Sequence, residues 1–182
     1  MELTRQIITD HLTEKPDARI MVFAEYRDTV DMLVSELNAL DGVRVVRFIG
    51  QPRVDVAQGM SQAEQKETLD RFRDGTHNVL VSTSIGEEGI DIPATSLVLF
   101  YEPVPSAIRH IQRKGRTARD GLPGKVKILI MKDSRDEAYY WSSTKKEKKM
   151  YSYVYKLKDM LEGETVSRRT VERQSKIDDY LC

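Results

Sequence analysis

Apolar residues along this chain fall into short β-branched clusters, separated by longer stretches in which they recur at helical spacing. Ile20-Met21-Val22-Phe23 is apolar throughout, as a strand buried on both faces should be. Val30, Leu33, Val34, Leu37 and Leu40 then keep to one side of a helix. Val43 to Phe48 predicts a second strand, ending at Gly50. Ser61-Gln62-Ala63-Glu64 has the form of a capping box, opening a helix that runs through Leu69 and Phe72 and stops near Gly75. Asn78 to Ser82 and Ser96 to Tyr101 predict two more strands, Pro105 starts a further helix, and Lys125 to Met131 predicts a fifth strand. This alternation argues for an α/β fold, a doubly wound parallel sheet with helices on both faces. Such sheets hold ligands at the carboxyl ends of their strands, which directs attention to the loops after Phe23, Phe48, Ser82 and Tyr101.

Two ends lie outside the alternation. Residues 1–16 predict an amphipathic helix (Leu3, Ile7, Ile8, Leu12), ahead of a main domain over 17–162. After Ser134 a long helical extension follows, with Trp141, a Lys-Lys-Glu-Lys-Lys run at 145–149, and Tyr151, Tyr153 and Tyr155. Residues 163–182 turn polar and charged, the composition of a flexible tail.

Composition narrows the partners. The 182 residues carry 29 basic and 29 acidic side chains, so no global field attracts a polyanion and any nucleic-acid contact must be a local patch. A single cysteine, Cys182, rules out an internal disulfide and suits a reducing compartment. No run approaches the roughly 18 apolar residues of a membrane span, and the amino terminus lacks the form of a signal peptide. A soluble, cytoplasmic and nucleoid-associated chain is expected, with no membrane partner.

Candidate chemistry sits in two segments. Gln112-Arg113-Lys114-Gly115-Arg116-Thr117-Ala118-Arg119 places three arginines at i, i+3 and i+6, which on a helix would point in nearly one direction. Such a guanidinium row repels itself unless an anion lies among its members, and planar guanidinium suits polyphosphate. Ser82-Thr83-Ser84-Ile85-Gly86-Glu87-Glu88-Gly89-Ile90-Asp91 follows the third strand. Hydroxyls there offer donors to a phosphate, Gly86 and Gly89 permit close approach of the main chain, and Asp91 can accept from a ribose hydroxyl. His77 and His110 have no acidic or cysteine partner at ligand spacing and read as surface or structural, so no metal site is expected.

Taken together, these segments carry a resemblance. Gly89-Ile90-Asp91-Ile92-Pro93, an apolar strand, and then the arginine segment resemble motifs V and VI of superfamily 2 helicases. Val22-Phe23-Ala24-Glu25-Tyr26-Arg27 is similar to motif IV, and Gly59 to Lys66 to the segment that follows it. Phe100 to Arg109 and Arg135 to Trp141 narrow the likeness to the archaeal Hef-like helicases, related to the Fanconi anaemia group M translocase. The resemblance covers roughly residues 18 to 150 and implies the second RecA-like domain of such an enzyme. No Gly-x-x-x-x-Gly-Lys-[Ser/Thr] loop is present, since Gly121 to Lys125 is followed by Val126. Asp136-Glu137 lacks the apolar strand that a magnesium-binding pair would follow. The first RecA-like domain, which would hold ATP and magnesium, is therefore an expected partner supplied elsewhere.

What the resemblance implies for residues is specific. Arg116 and Arg119 would be arginine fingers reaching the γ-phosphate, and Gln112 and Arg113 would contact the other domain. Gly89 and Asp91 would lie near the ribose, while Arg27, Gly50, Gln51 and Thr83 would grip the backbone of forked or branched DNA. The implied activity is that of an ATP-dependent DNA helicase in replication-fork repair, with this chain inactive alone. Ala118 departs from the glycine common at that position. Two other readings stand beside this one. Gln174, Ile177, Tyr180 and Leu181 are spaced like a sliding-clamp (PCNA) binding box, which would make the chain a docking adaptor. RNA-directed relatives share the motifs, which would make the substrate RNA.

Overall fold

The computed structural model describes residues 1–51, 59–84, 91–117 and 124–165, with side chains to 161. The elements run α1 (Glu2–Glu14), β1 (Ile20–Phe23), α2 (Arg27–Leu37), β2 (Val45–Phe48), α3 (Gln62–Arg73), β3 (Val79–Ser82), β4 (Leu97–Phe100), α4 (Ala107–Lys114), β5 (Lys125–Ile128) and α5 (Arg135–Thr165). Two compact units divide the chain, Met1–Ser143 and Thr144–Cys182. The described part of the second is helical as far as Thr165.

All five strands are parallel, in the order β2-β3-β1-β4-β5. Side chains alternate faces along a strand, and the core divides accordingly. Ile20, Val22, Val79, Val81, Leu97 and Leu99 share one apolar cluster with Ile7 and Ile8 of α1 and Val30, Leu33 and Leu37 of α2. Met21, Phe23, Leu80, Val98 and Phe100 share the other with Leu69 and Phe72 of α3. Every residue of β1, β3 and β4 is buried, because helices cover both faces of these inner strands. The edge strand β5 differs: Lys125, Val126 and Lys127 are exposed, and an edge tolerates lysine where an inner strand would not.

Most predicted elements are present, trimmed at their ends. The second strand begins at Val45 rather than Val43, and the fifth stops at Ile128. The helix expected to start at Pro105 starts at Ala107, where the Ser106 hydroxyl caps it by accepting from the Arg109 N–H (3.4 Å). The capping box at α3 is complete, with the Ser61 N–H donating to Glu64 (2.7 Å) and the Glu64 N–H to Ser61 (3.3 Å). Gly75 has φ 87°, a left-handed value that suits glycine after a helix end. One packing difference is larger. The sequence reading sets residues 1–16 apart from the main body, whereas α1 packs its Ile7 and Ile8 into the sheet's first cluster. His11 completes that docking: its Nε2 lies 2.8 Å from Ser96 Oγ, just ahead of β4.

Candidate functional site

The strand register aligns the carboxyl ends in one row: Phe48, Ser82, Phe23, Phe100 and Ile128 stand side by side. Chain leaving that row carries the four predicted backbone-gripping residues. Gly50 and Gln51 follow β2, Thr83 follows β3, and Arg27 opens α2 after β1. These are three adjacent strands of the sheet, so the four positions share one edge. Arg27 Nη2 donates to the Gln51 carbonyl (3.3 Å), which joins two of them directly. The Gly50 carbonyl accepts from Met60 (3.1 Å), and the Thr83 carbonyl accepts from the Ser82 hydroxyl (3.0 Å). Gln51 is exposed and Thr83 is buried.

Behind this edge lies a charged cluster that sequence reasoning missed. Glu25, just past β1, receives both terminal nitrogens of Arg109 (3.1 and 3.0 Å). Arg113 Nη2 stands 3.6 Å from the same carboxylate. The Glu25 N–H in turn donates to the Glu102 carboxylate, just past β4. No spacing rule connects Glu25 with Arg109, which are far apart in sequence and meet only once β1 and β4 pair.

Arg113 is 0% exposed, with its guanidinium carbon 4.8 Å from the Phe23 ring centroid and 5.4 Å from that of Phe100. A buried cation is tolerated only beside a counter-charge and polarisable neighbours, and Glu25 with the two rings supplies both. The sequence reading points Arg113 at another domain, whereas in this structure its guanidinium is turned inward, onto Glu25 and the two rings. His110, one helical turn before Lys114, is also buried and meets Phe100 edge-on at 5.1 Å. It is a core residue. His77 is held below the ordinary imidazole pKa, first by burial and then by nearby Arg71.

The remaining predicted residues lie at the opposite edge of the sheet. Asp91 is bridged to the end of α3, where Arg73 Nη2 donates to its carbonyl (3.4 Å) and stands 3.6 Å from its carboxylate. Arg19, entering β1, donates through Nε to the Phe72 carbonyl (2.8 Å) and through Nη2 to that of Arg73. The Arg116 carbonyl accepts from both the N–H (3.1 Å) and the hydroxyl (2.9 Å) of Thr95, entering β4. Thr117 returns its own hydroxyl to the Thr95 carbonyl (2.7 Å). Asp91, Arg73, Arg19 and the Arg116–Thr117 turn therefore gather at the amino ends of the strands.

Two sequence expectations change here. The arginine row does not occupy one helix face, because α4 ends at Lys114 with Gly115 as its cap, and Arg116 belongs to the turn beyond. The predicted residues are also not confined to the carboxyl ends, since α4 runs back across the sheet and brings the Arg116 main chain to the other edge. Arg116 is 4% exposed and Gln112 half-buried, while the Asp91 carboxylate is open, 90% exposed. Gly89, Ala118 and Arg119 lie outside the described residues, as do Gln174, Ile177, Tyr180 and Leu181. Among the described residues, no group of three or more His, Cys, Asp or Glu could hold a metal ion, and no helix is long and apolar enough to cross a membrane.

A protein of Methanocaldococcus jannaschii whose name describes an ATP-dependent RNA helicase is 50% identical over 144 residues, covering 79% of this chain and 18% of the relative. The Fanconi anemia group M protein of Gallus gallus is 39% identical over 125 residues, covering 68% of this chain and 6% of the relative. The crystal structure of the Pyrococcus furiosus Hef helicase domain superposes with a TM-score of 0.63 at 51% identity, over 78% of this chain and 28% of that one. The chain spans less than a fifth of the length of these curated relatives. The helicase conserved C-terminal domain profile matches residues 3–121, which takes in nearly all of α1 and the strands β1 to β4. The chain belongs to the helicase conserved C-terminal domain family, on the branch of superfamily 2 that includes the Hef-like and Fanconi anemia group M proteins.

Proposed function

We propose that this chain is the second motor domain of an ATP-dependent DNA helicase or translocase acting on forked or branched DNA in replication-fork repair. The observation that carries this reading is the separation of the two candidate sets onto opposite edges of one sheet. Arg27, Gly50, Gln51 and Thr83 line the carboxyl edge, while Asp91 and Arg116 line the amino edge. A motor needs such separation, because the nucleotide and the nucleic acid must bind without overlapping.

At the amino edge, Arg116, together with Arg119, stabilises charge that develops on a transferred phosphoryl group. The Thr95 clamp on the Arg116 main chain fixes where that guanidinium starts. Electrostatic stabilisation and positioning supply most of phosphoryl-transfer catalysis, and an arginine finger is worth about 10³-fold or more. Asp91 and Gly89 serve the ribose side, and Gln112 the facing domain. Arg113 acts from inside, holding α4 against Phe23 and Phe100 so that the turn beyond it is correctly placed. ATP and magnesium are held mainly by the first RecA-like domain, whose phosphate loop this chain lacks. At the carboxyl edge, Arg27 and the main chain of Gly50 and Gln51 contact phosphates, which carry no sequence information, so binding selects structure over sequence.

The test uses the chain alone and joined in one polypeptide to the first RecA-like domain. The 182 residues alone should turn over no ATP, and the two-domain protein should show DNA-stimulated turnover that Arg116→Ala lowers by about 10³-fold. Robust turnover by the chain alone would falsify the reading. A second reading, RNA as the substrate, draws on the name of the Methanocaldococcus relative. Stimulation by duplex RNA exceeding that by forked DNA would favour it.

A further inference from the structure

Between Thr144 and Lys158 the second unit carries six lysines (145, 146, 148, 149, 156 and 158) against the single Glu147, in a chain whose net charge is zero. The segment is helical throughout. On a 3.6-residue period, Lys145, Lys149, Tyr153 and Lys156 fall on one stripe, at i, i+4, i+8 and i+11. The structure bears out that adjacency where it can be measured: Lys149 Nζ lies 5.7 Å from the Tyr153 ring centroid. All four side chains are exposed, Tyr153 by 52%. The stripe extends about 16 Å along the helix axis.

Such a stripe is unfavourable by itself. Like charges four residues apart on a helix repel, and a half-exposed ring keeps apolar surface in water. Both costs are relieved by one kind of partner, a polyanion that also offers flat apolar faces. Lysine ammonium groups take phosphates as point charges, and a tyrosine ring stacks on an unpaired base. A duplex hides its base faces within the stack, and a bilayer surface has none.

We infer that the Lys145–Lys149–Tyr153–Lys156 stripe of α5 is a binding site for single-stranded nucleic acid. The site goes beyond the motor reading and does not rest on it, because none of its residues belongs to the helicase motifs.

Binding of the full 182-residue chain to fluorescein-labelled oligothymidylate, followed by anisotropy from about 50 to about 200 mM salt, tests the site. Replacing Lys145, Lys149 and Lys156 together by alanine should weaken binding at least about tenfold at the lower salt and flatten the log–log salt slope by about 2. Alanine raises helix propensity, so circular dichroism should show the helix retained. Tyr153→Ala should weaken binding about fivefold or more, whereas Tyr153→Phe, which keeps the stacking ring, should bind like the parent chain. Unchanged affinity and slope in the triple variant would overturn the inference, as would equal losses in Tyr153→Phe and Tyr153→Ala. So would a larger effect of these substitutions on binding to phosphatidylserine vesicles or duplex DNA than to the single strand. A parent chain that does not bind the strand overturns it as well. None of these readouts uses ATP turnover, so their failure leaves the motor reading to its own test.

Discussion

At the residue scale, Arg113 and Glu25 show how a motif arginine can be turned into core. Removing Arg113 would empty the space between Phe23 and Phe100 and leave Glu25 with Arg109 alone. Arg113→Ala should therefore destabilise the chain by about 3 kcal/mol, measured by urea denaturation. Glu25→Gln should cost less, about 1–2 kcal/mol, because that carboxylate is 35% exposed and water screens its loss. The two histidines give a pH signature. His11 and His77 are both held below the ordinary imidazole value of 6.5, His11 by burial and then by Lys125 and Lys15. The unfolded chain therefore binds protons before the folded one as pH falls. Stability should be full above about pH 7, decline as pH drops through the unfolded value, and level off below the depressed folded values. Melting temperature should fall between about pH 7.5 and 5.5, before most carboxylates titrate, and His11→Gln should reduce that fall. An unchanged drop in His11→Gln would show that His11 is not its source.

At the element scale, local signals were the legible ones. The Ser61–Glu64 capping box could be read directly, because cap and partner lie within one turn. The box is also a test: Ser61→Ala should cost about 1 kcal/mol, read as a shift in denaturation midpoint at constant slope. Its Glu64 carboxylate is held below the usual range by the Ser61 N–H, so the benefit should be present at neutral pH and lost in acid. The helix carrying the arginines was harder. Spacing of i, i+3 and i+6 promises one face only while the helix lasts, and α4 lasts just to Lys114. Where a helix stops is set by what its end can bond, here Thr95 bonding the turn at Arg116, and that partner is distant in sequence.

At the scale of the whole molecule, the parallel sheet was legible because its inner strands are apolar on both faces and leave no doubt about burial. The predicted site was legible as a set of residues but not as a place. The general rule directs attention to the carboxyl edge, and Arg27, Gly50, Gln51 and Thr83 stand there. It does not cover Asp91 and Arg116, which the chain carries back to the amino edge. That α1 belongs to the same body was hidden as well, because a short amphipathic helix does not announce what it packs against. The two-edge arrangement predicts a separation of kinetic effects in the two-domain protein. Arg27→Ala should raise the DNA concentration for half-maximal stimulation by about five- to tenfold, while Asp91→Ala should instead raise the KM for ATP. Both variants shifting the same parameter would contradict the assignment of edges.

The flush alignment of strand ends has a mechanical consequence. Each strand is only four residues deep, about 13 Å, and is stitched evenly to its neighbours from one rim to the other. A plate so shallow and so uniformly laced has no internal joint at which to flex. In the proposed motor, force applied at the rim bearing Arg116 would therefore be carried to the rim bearing Arg27 through the whole plate at once.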